Sequence, residues 1–407
     1  MTHTVERRDR PWRSSRPALI IGPFDTPAVA EIEQAIGALT EAYPHSRLDW
    51  RFDASQRRWI GDRRPEQMVV EETGVPGQPV GDMLDDMWTR HSDGGPLTFI
   101  RYPHHLGLVM AHAVGDGRSF LEYLGGVAET AFTGQVAPWS SHTTGRFPLL
   151  TAGLRTFGRH PSLIRTALAD KFEPEYPQAS GTMLAWEPSR RTAVVAFPRS
   201  RTDEMVDWGR RFTPTPSRFV LLTCAVLSAM RAAGLAVSRD IHVLMDLRKY
   251  LGAGPINGNF VAGVPMRFEP DMTPQEFAAS VKTTLRSGRP LANQILTSIR
   301  AGGFGYRTAQ PDSYDPHAPL VVTVTDLGDS PYLEHIPFFL GEPSIYAAGG
   351  NPDGPLGVTI ALTHTRDSTI ATASFHDNAV DAAQMRQALD VLAAGPARLV
   401  CEPRLAR

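Results

Sequence analysis

The 407-residue chain is poor in cysteine, in lysine, in net charge and in long apolar runs, and each shortage closes off a class of protein. Its two cysteines, Cys224 and Cys401, are too few and too far apart for a disulfide framework or a paired CxxC metal site. Cys224 lies in the apolar run 219–227, which reads as a small buried hydrophobe rather than a nucleophile. Only Lys171, Lys249 and Lys282 are lysines among 41 basic residues, an arginine bias that fits a high-GC bacterial genome and says little about mechanism. The formal net charge of −2 lacks the basic excess of a nucleic-acid-binding domain, so no nucleic acid is expected as a partner. No stretch approaches the roughly 18 uninterrupted apolar residues of a membrane span, so no integral membrane association is expected. Residues 1–16 are polar and arginine-rich without the apolar core of a secretory signal, and they read as a loose terminus on a cytoplasmic protein. Neither GxxxxGK[ST] nor GxSxG occurs, which removes phosphate-loop and α/β-hydrolase chemistry. The glycine-rich run 252–258 is interrupted by Pro255 and precedes a strand-like segment, whereas a dinucleotide fingerprint opens a helix.

What remains is an ordinary globular composition, 42% hydrophobic and 21% charged, in a chain long enough for two or three cores. Strand-length apolar runs alternate with helical periodicity. Residues 17–21 read as a strand and 27–43 as a helix with Val29, Ile32, Ile36 and Leu39 on one face. Leu97 to Arg101 and Leu106 to His112 read as a hairpin. His104 and His105 in its loop would point to opposite faces, so no metal site is expected with His112. The pattern lapses into Pro-, Gly- and Ser-bearing linker composition around 173–188. Beyond it come a strand at 192–197, a polar helix start at 201–204, a strongly apolar helix at 217–233 and a strand at 241–246. Strand–helix alternation on both sides of the linker indicates an α/β protein.

The most informative stretch is His112-Ala113-Val114-Gly115-Asp116-Gly117, at the junction between the apolar strand and a helix. Ser119 and Glu122 have capping-box spacing at the start of that helix, and Gly115 and Gly117 suit a tight turn needing positive φ. A neutral imidazole held there would take a proton from a hydroxyl or amine near pH 7. Asp116 would either orient that imidazole or turn away and pin the loop. Backbone N–H groups at 115–118 are placed to steady an oxyanion.

From His112 onward this stretch resembles the HHxxxDG signature of the chloramphenicol acetyltransferase-like superfamily, with Ala111 in place of the first histidine. Downstream, Asp246-Leu247-Arg248 followed by Gly258-Asn259-Phe260-Val261 resembles the arginine-then-GNFV segment of condensation domains and their stand-alone relatives. Val324-Thr325-Asp326-Leu327-Gly328 is similar to a late strand and turn of the same proteins. The absence of a DFGWG segment sets the chain apart from the plant branch, leaving condensation-domain or polyketide-associated acyltransferases. The resemblance implies two acetyltransferase-like halves, mixed sheets flanked by helices, with an active-site tunnel between them. Residues 1–178 would carry HxxxDG, and residues 179–407 would carry DLR and GNF. It implies His112 as catalytic base, an Asp116–Arg248 pair with Gly117 supporting the site, and Asn259 as tunnel-lining, although a plain turn asparagine reads nearly as well. It further implies acyl transfer from acyl-CoA or a phosphopantetheinyl carrier protein supplied in trans to a small hydroxyl or amine acceptor, with no permanently bound cofactor. The alternative is a catalytically silent module that recruits carrier proteins.

Overall fold

The strands Ala18–Gly22 and Leu106–Met110 are buried along their whole length, so apolar runs replace the alternation of a half-exposed sheet. In the computed structural model, which describes residues 2–139, 147–169, 172, 181–252, 256–300 and 311–401, they pair antiparallel at the centre of a five-stranded sheet. Most of the linker, the boundary at 178/179 and the glycines at 303 and 305 lie outside the described residues. The sheet continues through Leu97–Arg101, the hairpin partner of Leu106–Met110, to the edge strand Val69–Glu71. Its other edge comes from far downstream: Ile345–Gly349 pairs antiparallel with Ala18–Gly22 in the register Tyr346 opposite Ile21. The helices Val29–Ala42 and Gly117–Thr133 pack on one face, placing Ile32, Ile36, Leu39, Leu124 and Val127 in its core.

A six-stranded mixed sheet is built wholly from residues beyond 189. Its order is Val261–Arg267, Asp240–Asp246, Val321–Asp329, Gly357–His364, Ser368–His376 and Arg190–Pro198. Asp240–Asp246, Val321–Asp329 and Gly357–His364 run parallel to one another, and the remaining pairings are antiparallel. The apolar helix is Arg218–Ala232, capped by the Ser217 hydroxyl accepting from the Val220 N–H, and it lies on this sheet with Cys224 buried in the core. The protein is therefore an α/β chain of mixed sheets flanked by helices, and Ile345–Gly349 stitches the two sheets together. Among the described residues no helix is long and apolar enough to cross a membrane.

Residues 2–17 are not loose. Thr2–Thr4 pairs with Arg58–Gly61 in a small three-stranded sheet, and the chain then runs across the front of the molecule through the turn Arg10–Trp12. Arg8 and Asp9 are buried, and Arg8, Arg10 and Arg16 donate to backbone carbonyls of the fold, whereas Arg7 remains exposed. The Arg8 guanidinium donates to the carbonyls of Asn257 and Asn259, 2.7 and 3.2 Å away.

Candidate active site

His112 follows the strand Leu106–Met110 by two residues and sits on the floor of a cavity of about 700 Å³. The cavity lies between the two sheets. Its walls come from the N-terminal arm at Trp12 and Ser15, from the strands carrying Leu244, Val261 and Thr325, and from the glycine-rich stretch beginning at Gly349.

The helix after His112 starts three residues earlier than a Ser119–Glu122 capping box would place it. Asp116 is the N-cap of Gly117–Thr133, and its carboxylate accepts from the Arg118 N–H at 3.2 Å. Ser119 and Glu122 are buried within the helix, where Glu122 meets the Tyr332 hydroxyl and Arg118. Gly115 and Gly117 do not have positive φ; what their missing side chains provide is room for neighbouring side chains. A Cβ on Gly115 would run into the Ser119 side chain, and one on Gly117 into Cδ2 of Leu327. Gly117 is thus where the His112 loop and the downstream Asp326-Leu327-Gly328 segment touch.

Asp116 is turned away from the imidazole and saturated by other donors. Arg248 grips it with both Nη atoms at 2.9 and 3.1 Å, and the Phe260 N–H donates at 2.9 Å. Burial by itself would raise its pKa, but the Arg248 guanidinium, the Phe260 N–H and the nearby His112 together hold the carboxyl below its usual range. Arg248 is likewise held firmly cationic, since Asp116 and Asp246 more than offset its desolvation. Of the N–H groups at 115–118, that of Arg118 is already committed to Asp116.

The imidazole is oriented by Asn259, which comes from the other side of the cavity. Asn259 Oδ1 lies 2.9 Å from His112 Nδ1. Its amide Nδ2 donates to the His112 carbonyl at 2.8 Å and to Asp9 Oδ1 at 3.1 Å, both of which can only accept. That pairing fixes the amide's direction, so Oδ1 must accept and Nδ1 must carry the proton. A neutral His112 then presents an unprotonated Nε2. Burial lowers its pKa below the ordinary 6.5, against the opposing pull of its own backbone carbonyl, Asp116 and Asn259. Asp9 in turn accepts from the Asn259 backbone N–H at 2.9 Å, and its second oxygen pairs with the buried Arg47 at 2.9 Å. Arg47 also donates to the carbonyls of Ala113 and Val114, tying the relay back to the His112 loop. Trp12 stacks on the imidazole with centroids 4.2 Å apart, and Phe120 meets it edge-on at 5.0 Å.

The residues singled out in the sequence, His112, Asp116, Gly117, Arg248 and Asn259, therefore meet at one place. Asp9, Arg47 and Trp12 were not foreseen. The available signal was a terminus that mixes charges of both signs around one tryptophan instead of repeating a single sign. Among the described residues, no group of three or more His, Cys, Asp or Glu is arranged to hold a metal.

The sequence matches no protein-family model and no curated protein. Solved structures do match over nearly the whole chain. The condensation domain of the monacolin K polyketide synthase aligns with a TM-score of 0.63 at 12% identity, covering 100% of this chain and 98% of its own. The polyketide synthase associated protein 5 of Mycobacterium tuberculosis aligns with a TM-score of 0.57 at 15% identity, covering 99% of each chain. The epimerization domain from the third module of tyrocidine synthetase B aligns at 0.56 and 13% identity, covering 96% of this chain and 92% of its own. At these identities the likeness is one of fold: the chain has the two-lobed, chloramphenicol acetyltransferase-like fold of condensation domains.

Proposed function

We propose that this protein is an acyltransferase that moves an acyl group from a thioester, carried by coenzyme A or a phosphopantetheinyl carrier protein, to a hydroxyl or amine acceptor. The setting would be bacterial natural-product or lipid biosynthesis. The observation that carries this reading is the single tautomer imposed on His112: with Nδ1 tied to Asn259, the ring lining the cavity offers Nε2 as a base. Thioester transfer asks for little more. The carbonyl is already electrophilic, and a thiol with a pKa of about 8.5 leaves readily.

In the proposed step, Nε2 takes the proton from the acceptor O–H or N–H as its oxygen or nitrogen bonds to the thioester carbon. The tetrahedral oxyanion then collapses, the C–S bond breaks, and the imidazolium returns its proton to the departing thiolate. General base action of this kind is worth roughly 10²–10⁴-fold. A tunnel with openings on both faces would let donor and acceptor arrive without displacing one another, and holding them in line lowers the entropic barrier. Asp116 and Arg248 would hold the His112 loop against the opposite lobe and take no part in proton transfer. With His112, Asp116 and Arg248 all assembled, a catalytically silent recruiting module is the weaker reading.

The test is to incubate the purified protein with a panel of acyl-CoAs, acyl-carrier thioesters and acceptors while following free thiol. Acceptor-dependent thiol release that disappears in His112→Ala is the expected result. A His112→Ala protein turning over at the wild-type rate would refute the base.

A further inference from the structure

Two stretches of this chain contain no acidic residue: none lies between Glu129 and Asp170, and none between Glu276 and Asp312. In a chain with 43 acidic residues and a net charge of −2, that is a marked local asymmetry. The fold brings the described parts of both stretches together. The short helix Pro148–Gly153 and the helix Ser162–Ala169 both pack beside Arg289–Arg300, and the segment Leu154–Gly158 joins and packs against those two helices. Gly153 lies against Ile295, and Gly288 lies against Phe157.

This basic assembly also carries apolar side chains facing outward. Phe147, Leu150, Leu154 and Ile299 are each 58% exposed or more, and Ile164 and Leu296 are exposed as well. Six of the 13 exposed large hydrophobic residues among the described residues are therefore found here. Their spacing puts Leu150 and Leu154 on one helix face, and Leu296 and Ile299 on another. Arg155, Arg159, Arg165 and Arg300 stand exposed among them. Scattered exposed leucines need no explanation, but a cluster carried on helices that bear arginines and no carboxylate in their described residues does.

We propose that this surface docks the protein onto an anionic lipid bilayer. Protruding aliphatic and phenylalanine side chains would enter the headgroup boundary, while the arginines meet lipid phosphates with their stems lying along the apolar region. The helix Arg289–Arg300 also touches the turn Arg10–Trp12, whose tryptophan covers His112. One helix thus separates the bilayer from the cavity wall, a placement suited to a substrate that partitions into the membrane. The docking inference does not depend on the acyl-transfer reading.

The experiment is co-sedimentation of the full-length protein with vesicles of phosphatidylcholine alone or mixed with phosphatidylglycerol. Binding to the anionic vesicles, weakening as salt rises, is expected. The exposed double substitution Leu154→Glu with Ile299→Glu should keep the wild-type melting temperature and lower that binding roughly ten-fold or more. Absence of vesicle binding would overturn the proposal, as would equal binding to both compositions or binding untouched by the double substitution. Vesicle binding that fails while the same two substitutions abolish capture of an acidic carrier protein would reassign the surface to a protein partner. Because no turnover is measured, failure here leaves the acyl-transfer reading standing, and the reverse.

Discussion

A histidine whose Nδ1 proton is already spent on an amide oxygen has one free nitrogen left for chemistry, and burial keeps that nitrogen unprotonated at neutral pH. Because desolvation holds the His112 pKa below 6.5, the acid limb of the rate profile should fall below pH 6.5. A limb centred above the ordinary histidine value would contradict this account of the site. Asn259→Ala releases Nδ1 and lets the tautomers mix, so turnover should drop roughly ten-fold or more, and stability should fall by about 1–3 kcal/mol because buried Asp9 and the His112 carbonyl each lose a donor. Asp116 and Arg248 act differently. Removing either strands a buried charge, which costs about 3–5 kcal/mol, and the two losses should be far from additive in a double-mutant cycle. Their link to pH has a definite sign. The folded pKa of Asp116 is depressed, so the pair's stabilisation is complete above the unfolded value near 3.8 and is lost as pH falls through the folded value. Acid titration of thermal stability should show that loss in the wild type and not in Asp116→Asn. His112 was legible as a candidate because histidine, turn and helix start are adjacent in sequence. The Asp9–Asn259 contact was not, since it joins residues 250 apart and nothing local marks either one.

At the scale of elements, periodicity served best where an element lies on one side of a core. The hairpin Leu97–Arg101 with Leu106–Met110, and the helices Val29–Ala42 and Arg218–Ala232, fall within a residue or two of the expected ranges. It failed where partners are distant. The N-terminal arm reads as solvated because its charges are counted singly, yet Asp9 and Arg47 neutralise one another inside the fold. Asp9→Ala should therefore behave as a core mutation, destabilising by about 1–3 kcal/mol, because it leaves Arg47 with only the partly exposed Glu6 as carboxylate partner and strands the Asn259 donors that Asp9 accepts. A change under about 0.5 kcal/mol in chemical denaturation, the range of an ordinary surface substitution, would restore the loose-arm reading. The helix after His112 shows a second limit. Two residues matched the capping-box spacing, but Asp116 lies closer to the turn and its carboxylate reaches the Arg118 N–H, so the helix starts there.

For the whole molecule, the decisive feature is the return of Ile345–Gly349 to the sheet that seats His112. The α/β class is legible in the sequence from the repeated alternation of strands and helices, while the expectation of two halves came from the resemblance of the HxxxDG, DLR and GNF segments. The exchange of a strand between them is not legible, because a short apolar strand carries no label for the sheet it joins. Residues 1–178 expressed alone should consequently fail to form a native lobe, for Ala18–Gly22 would become a bare and wholly apolar edge. A fragment with sharp, dispersed amide resonances and cooperative melting would count against this. The same strand sets a clock on synthesis. At ribosomal rates of about 5–20 residues per second, Ile345 follows Gly22 by on the order of 20–60 s. Through that interval the nascent chain carries an unfinished sheet. One wall of the candidate site is thus among the last parts of the protein to be made, and until then the sheet that seats His112 keeps an open apolar edge.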